Sequence, residues 1–145
     1  MSTGVRPAIE VRTSASAYEV GATVGARVVN HTGEDVYVSH CNHRVSLLLQ
    51  RRAADGWVHD RQVNGPVCQA IHPMGELAIA PGRDVTETLQ IDEAGEFRLQ
   101  VHVRRAHEDF GSLVATSPSF TVRDRRIASR AMPTGSAPVP GALAP

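Results

Sequence analysis

The sequence predicts an all-β domain built as an antiparallel sandwich, and three observations carry that expectation. Apolar residues alternate with polar ones at a period of two in about eight short runs, the spacing of strands with one buried face. Gly, Pro, Asn and Asp clusters separate those runs at turn spacing. No segment sustains the 3.6-residue periodicity of an amphipathic helix. The chain has 145 residues, and at that size a single domain can bury roughly two-thirds of its unfolded surface without help from metals or many disulfides.

The elements follow in order. Ala8 to Thr13 alternates and is rich in strand formers. Tyr18 to Asn30 places Val24, Ala26 and Val28 on one face and Thr23, Arg27 and Val29 on the other. His31 to Asp35 carries turn chemistry, with Gly33 free to take positive φ. Val36 to His40 reads as a third strand and Val45 to Arg51 as a fourth, followed by Asp55-Gly56, a strong hairpin signal, and a return strand opened by Trp57. As the only Trp in the chain, its ring is expected to cap the sheet core.

The stretch from Arg61 to Gly75 is less regular. Leu77 to Ala80 is a short strand, ended by Pro81-Gly82, which presets a type II turn. From Val85 to Ile91 the alternation is imperfect, because Glu87 shares parity with Val85 and Leu89; an edge position or a bulge accounts for that. Gly95 to Val103 is the cleanest strand, with Phe97, Leu99, Val101 and Val103 facing one way and Arg98, Gln100, His102 and Arg104 the other. A charged loop from Arg105 to Asp109 precedes Leu113-Val114, and Phe120 to Val122 closes the series. The expected organisation is a flexible N-terminus over 1–7, a sandwich over 8–122, and a disordered Pro/Ala/Gly-rich tail over 123–145 that lacks the apolar residues to offset its ordering entropy.

Composition narrows the function classes. Fifteen basic residues balance fifteen acidic ones, so no nucleic-acid partner is expected. No apolar run reaches the length of a membrane span, and Met1 to Pro7 has no apolar h-region of a signal peptide. Ser112, Ser117 and Ser119 lie in no Gly-x-Ser-x-Gly elbow, and the carboxylates form no arguable pair. No catalytic residue, resident metal or cofactor is therefore expected. The isolated histidines His31, His59, His102 and His107 read as solvated side chains, and Asn30-His31-Thr32 matches a glycosylation acceptor in a turn.

Several motifs in order resemble a bacterial immunoglobulin-like domain of the kind found in uncharacterised secreted proteins and lipoproteins. They are Tyr18-Glu-Val-Gly21-Ala-Thr-Val24, Asn30, the Asp55-Gly56-Trp57 hairpin, Pro81-Gly82, Gly95-Glu-Phe97-Arg98-Leu99 and Ser117-Pro-Ser-Phe120-Thr-Val122. Each is weak alone; their order and spacing across Ile9 to Val122 make the likeness. One departure is Phe97, where such sandwiches often carry Tyr. The resemblance implies an immunoglobulin-like β-sandwich with Greek-key connections and a non-catalytic binding or structural role.

It also implies that Cys41 and Cys68 form a disulfide, with two cytoplasmic thiols as the alternative. A bridge closing a loop of this length would stabilise by roughly 3.5 kcal/mol, and it points to a periplasmic, envelope or secreted location; a cytoplasmic one stays open. A monomer is expected, with a protein partner possible. A second reading is an intracellular proteinase-inhibitor-like sandwich contacting its target through the Arg61 to Gly75 loop, with Asn64, Gln69 and His72 as candidate contacts. A third is a cupredoxin-like copper site, with Cys68, His72 and Met74 in one loop and a distant histidine from His40-Cys41-Asn42-His43. Against copper, Met74 follows His72 too closely for an axial ligand, too many strands follow Cys68, and Cys41 would have no role.

Overall fold

The computed structural model describes residues 7–41, 43–63, 74–105 and 113–124. These form β1 (Ile9–Thr13), β2 (Ala17–Glu19), β3 (Thr23–Asn30), β4 (Val36–Cys41), β5 (Arg44–Val45), β6 (Leu47–Ala53), β7 (Gly56–Val63), β8 (Met74–Ile79), β9 (Asp84–Gln90), β10 (Gly95–Arg105), β11 (Leu113–Thr116) and β12 (Phe120–Arg123), with no helix among the described residues. The smaller sheet has the order β1-β3-β9 and is antiparallel throughout. The larger sheet is organised on β10, which pairs with β6 and β4 on one side and with β12 and β11 on the other. β2 joins the larger sheet in parallel with β12, so the chain crosses between the sheets from β1 to β2, β2 to β3, β3 to β4, β8 to β9 and β9 to β10, which makes the connections Greek-key. The fold is an immunoglobulin-like β-sandwich.

The core is the sum of the inward parities. Val24, Ala26 and Val28 of β3 meet Leu47 and Leu49 of β6 and Phe97, Leu99, Val101 and Val103 of β10, all buried. Near the start of β10 the Phe97 and Phe120 rings stack 6.1 Å apart and Tyr18 meets Phe120 edge-on at 5.7 Å. A Cβ on Gly95 would come within 3.3 Å of the Phe97 ring, which is why the chain enters its longest strand on glycine. At the opposite corner Gly82 takes φ +75° and the Arg83 amide donates to the Ala80 carbonyl at 3.0 Å, the type II turn expected of Pro81-Gly82.

The turn after β3 does not use the freedom of Gly33, which is not among the glycines with positive φ. Side chains hold that turn instead: Asn30 Oδ1 accepts from the Thr32 amide and hydroxyl, and Asn30 Nδ2 donates to the carbonyls of Glu34 and Ile79, each at 2.6–2.8 Å. Asn30 is fully buried, so its amide is no glycan acceptor in the folded chain. His31 is also not a solvated turn residue. Its ring nitrogen lies 2.7 Å from Glu10 Oε1, and its side chain is 17 % exposed.

β4 and β6 are halves of one strand. Val38 pairs with Val103 and Leu48 with Gln100, so the chain uses ten residues where β10 uses three. The excess leaves the sheet as a small hairpin, in which Cys41 pairs with Arg44, and the strand resumes when the Ser46 amide donates to the Ser39 carbonyl. The neighbouring strand is split at the same level, since β7 ends with Val63 opposite Leu47 and β8 begins with Met74 opposite Cys41.

Candidate interaction surface on the larger sheet

The hairpin of β4 and β5 leans toward the smaller sheet, and Glu87 of β9 anchors it. Its carboxylate accepts from Arg44 Nε at 2.9 Å and from the Val45 amide at 3.0 Å, and only 8 % of the side chain is exposed. This explains the parity anomaly: β9 is an edge strand, as expected, and Glu87 points inward to hold the hairpin. At the hairpin tip the His40 and His43 rings stack at 5.3 Å, and His40 Nδ1 accepts from the His43 amide at 2.9 Å. His43 takes φ +68°, a left-handed value that histidine adopts more readily than most residues.

Where the strand departs, the outer face of the larger sheet is left with a dent. Ser39, Ser46, Leu48, Gln62 and His102 line a volume of about 290 Å³. All five follow from register. Leu47 and Leu49 point inward, so Leu48 points out, and Gln62 is its cross-strand partner.

The same parity puts Trp57 on the outer face, paired with Arg52 across a two-residue loop. The expectation that it caps the core is thus corrected. Its ring is covered from outside: the Arg52 guanidinium lies 5.5 Å from the ring centroid and that of Arg98 lies 4.5 Å away, within cation–π range. Arg98 reaches across β6 and is held there by donating from Nε to Gln50 Oε1 at 2.7 Å. Further along the face, Arg104 stacks over Tyr37 at 4.5 Å and donates two hydrogen bonds, 2.6 and 2.7 Å, to Glu76. Hydrogen bonding to Arg104 holds the Glu76 carboxyl below its ordinary range, and Glu76 in turn raises Arg104. On the smaller sheet, bonds from His31 and then Arg12 lower the Glu10 carboxyl in the same way.

Of the residues singled out in the sequence, Cys41 ends β4, opposite Met74. Cys68, Asn64, Gln69 and His72 lie outside the described residues, as does His107. Among the described residues no group of three or more His, Cys, Asp or Glu side chains is placed to hold a metal. Ser117 is buried, its hydroxyl accepting from the Leu99 amide at 2.9 Å and donating to the Pro118 carbonyl at 2.8 Å. No helix of the described residues is long and apolar enough to cross a membrane.

No family model matches the chain, and no curated protein matches it. Solved structures do. The chain is similar to Spo0M, a sporulation control protein from Bacillus subtilis, at 14 % identity and a TM-score of 0.50, covering 90 % of this chain and 56 % of that one. It therefore spans little more than half of that structure's length. Other matches are a CARDB domain from Pyrococcus furiosus, solved in complex with di-metal ions, at 13 % identity, TM-score 0.39, covering 79 % of this chain and 86 % of that one, and a PapD-like domain of human CEP192 at 12 % identity, TM-score 0.33, covering 86 % and 90 %. At such identities the likeness is one of fold.

Proposed function

We propose that this domain is a non-catalytic binding or structural module, exported to the cell envelope or beyond, with Cys41 and Cys68 joined in a disulfide. The observation that carries the non-catalytic reading is how its inner polar side chains are used. Asn30, Ser117 and Glu87, the groups set deepest in the sandwich, each bond main-chain atoms of a neighbouring segment. Polar groups committed to bracing the backbone are poorly placed to turn over a substrate.

The bridge is supported by two facts. Cys41 is not a free thiol, and Cys68 is the only other cysteine in the chain. Met74 is the cross-strand partner of Cys41, and Val63 pairs with Leu47. From Met74, Cys68 is six positions back, a length of chain that reaches about 20 Å when extended. A bridge of this kind persists in oxidising compartments, which favours export.

The test is intact mass of protein from its native host, with and without reduction after thiol alkylation under denaturing conditions. We expect two alkyl groups to be added only after reduction. Two alkylated thiols without reduction would remove the bridge and, with it, the argument for export.

A further inference from the structure

The outer face of the larger sheet carries two arginines that share one indole, and their surroundings say what they are for. Arg12, Arg27, Arg44, Arg51 and Arg104 each lie within 4.0 Å of a carboxylate or bond one directly. Arg52 and Arg98, like Arg61, Arg83, Arg105 and Arg123, make no such pair among the described residues; what sets these two apart is that both lie over the Trp57 ring, Arg98 also donating to the neutral amide of Gln50. Two like charges drawn to one ring, one of them pinned by a neutral acceptor, form a preorganised site for a negative group. Arg104 and Glu76 on that face neutralise each other, and around Trp57 the two arginines outnumber the one nearby carboxylate, Glu96, which pairs with neither of them among the described residues. Beside it the dent of Ser39, Ser46, Leu48, Gln62 and His102 offers room for a side chain. Its floor is contiguous with the stack, since Leu48 pairs with Gln100 and the next outward residues on those strands, Gln50 and Arg98, pair in turn.

We infer that this face docks an acidic segment of a partner protein, with carboxylates received by Arg52 and Arg98 over Trp57 and an adjoining side chain entering the dent. Trp, Tyr and Arg are the residues that anchor protein interfaces, and Tyr37 and Arg104 stand on the same outer face further along β10. Phosphate would satisfy the same guanidiniums, but a nucleic acid fits the face less well. The chain as a whole carries balanced charge, and Glu76 and Glu96 stand on the same surface, interrupting any basic track for a backbone. The inference rests on the reading that the domain binds rather than catalyses. It needs neither the bridge nor export, so the mass experiment and the one below fail separately.

Trp57 is the only tryptophan, so its emission reports on this site alone. The full chain is titrated at low ionic strength with a short oligoglutamate peptide, with an oligoglutamine peptide of equal length, and with single-stranded oligothymidylate. We expect a saturable change in Trp57 emission with oligoglutamate, suppressed by salt, and none with oligoglutamine. R52Q and R98Q should each weaken it by about tenfold, the loss of one charge-assisted contact, with unchanged circular dichroism. R83Q, which removes an exposed charge elsewhere, should leave it unaltered. No saturable response to oligoglutamate, equal binding by R98Q, equal loss in R83Q, or tighter binding of oligothymidylate than of oligoglutamate would each overturn the inference.

Discussion

Replacing Glu87 by alanine tests whether the hairpin that interrupts the long strand is held from the opposite sheet. The magnitude follows from the two bonds. In the β4–β5 pairing, Cys41 faces Arg44 and the Ser46 amide returns to Ser39; by alternation the Val45 amide points away from β4, toward the Glu87 carboxylate. Val45 itself is 1 % exposed, so an amide stripped of this acceptor costs about 1–3 kcal/mol. The Arg44 bond adds little, about 0.5 kcal/mol, because 53 % of the arginine side chain is in water, where screening is strong.

E87A should therefore lose about 1.5–3.5 kcal/mol in total. E87Q keeps a carbonyl oxygen for the Val45 amide and should lose only about 0.5–1 kcal/mol. Urea unfolding reads this as a shift of the midpoint with an unchanged slope, and hydrogen exchange at the Val45 amide should accelerate in E87A and not in E87Q. Equal destabilisation of the two variants would refute the reasoning, since the main-chain bond would then not be the dominant contribution. So would an E87A midpoint indistinguishable from wild type.

Three further outcomes follow from the same kind of accounting. N30A removes four hydrogen bonds from a fully buried side chain and leaves the Ile79 carbonyl without that donor, so a loss of about 3 kcal/mol or more is expected by urea unfolding. G82A meets no atom within 4 Å but must hold φ +75°, and should cost about 1–2 kcal/mol through backbone strain alone, with G82N costing less. The Glu10 and Glu76 carboxyls are both held below 4.5, the ordinary glutamate value, in the folded chain. Their contribution is complete above that unfolded value and disappears as pH falls through the lower folded values. The urea midpoint of the wild type should thus drop below about pH 4.5 more steeply than that of E10Q/E76Q, whose profile should be flatter there.

What the sequence made legible is local. The alternation of β10, the Pro81-Gly82 turn and the edge character of β9 each depend on a few adjacent residues, and each is present in the structure. What it hid is long-range. Val36 to His40 and Val45 to Arg51 read as two strands because nothing local says that both pair with β10. Glu87 was conspicuous by parity, yet its partners Arg44 and Val45 are more than forty residues away and on the other sheet. Trp57 is an intermediate case. A two-residue loop after Ala53 fixes Arg52 opposite Trp57, and with Leu49 inward that register alone sends the ring outward; the general tendency of large rings to cap cores yields to the register here. Arg98 could be found only once β10 was placed beside β6.

The interrupted strand also connects the two surfaces of the larger sheet. On the inner side its extra residues become a hairpin that Glu87 ties to β9; on the outer side the same departure opens the dent next to Trp57 and Arg98. A continuous strand would fill the dent and give Glu87 nothing to hold. The hairpin therefore couples stability to the docking face, and the two can be separated by variant. E87Q should leave oligoglutamate binding close to wild type, because the hairpin keeps its main-chain anchor. E87A should weaken binding at temperatures where the protein is still folded, because Ser39 and Ser46, the rim of the dent, are the two ends of the released segment. Peptide titration of E87A followed by Trp57 emission, at a temperature where circular dichroism is native, decides it: wild-type affinity in E87A would mean that the arginines and the indole bind without the dent.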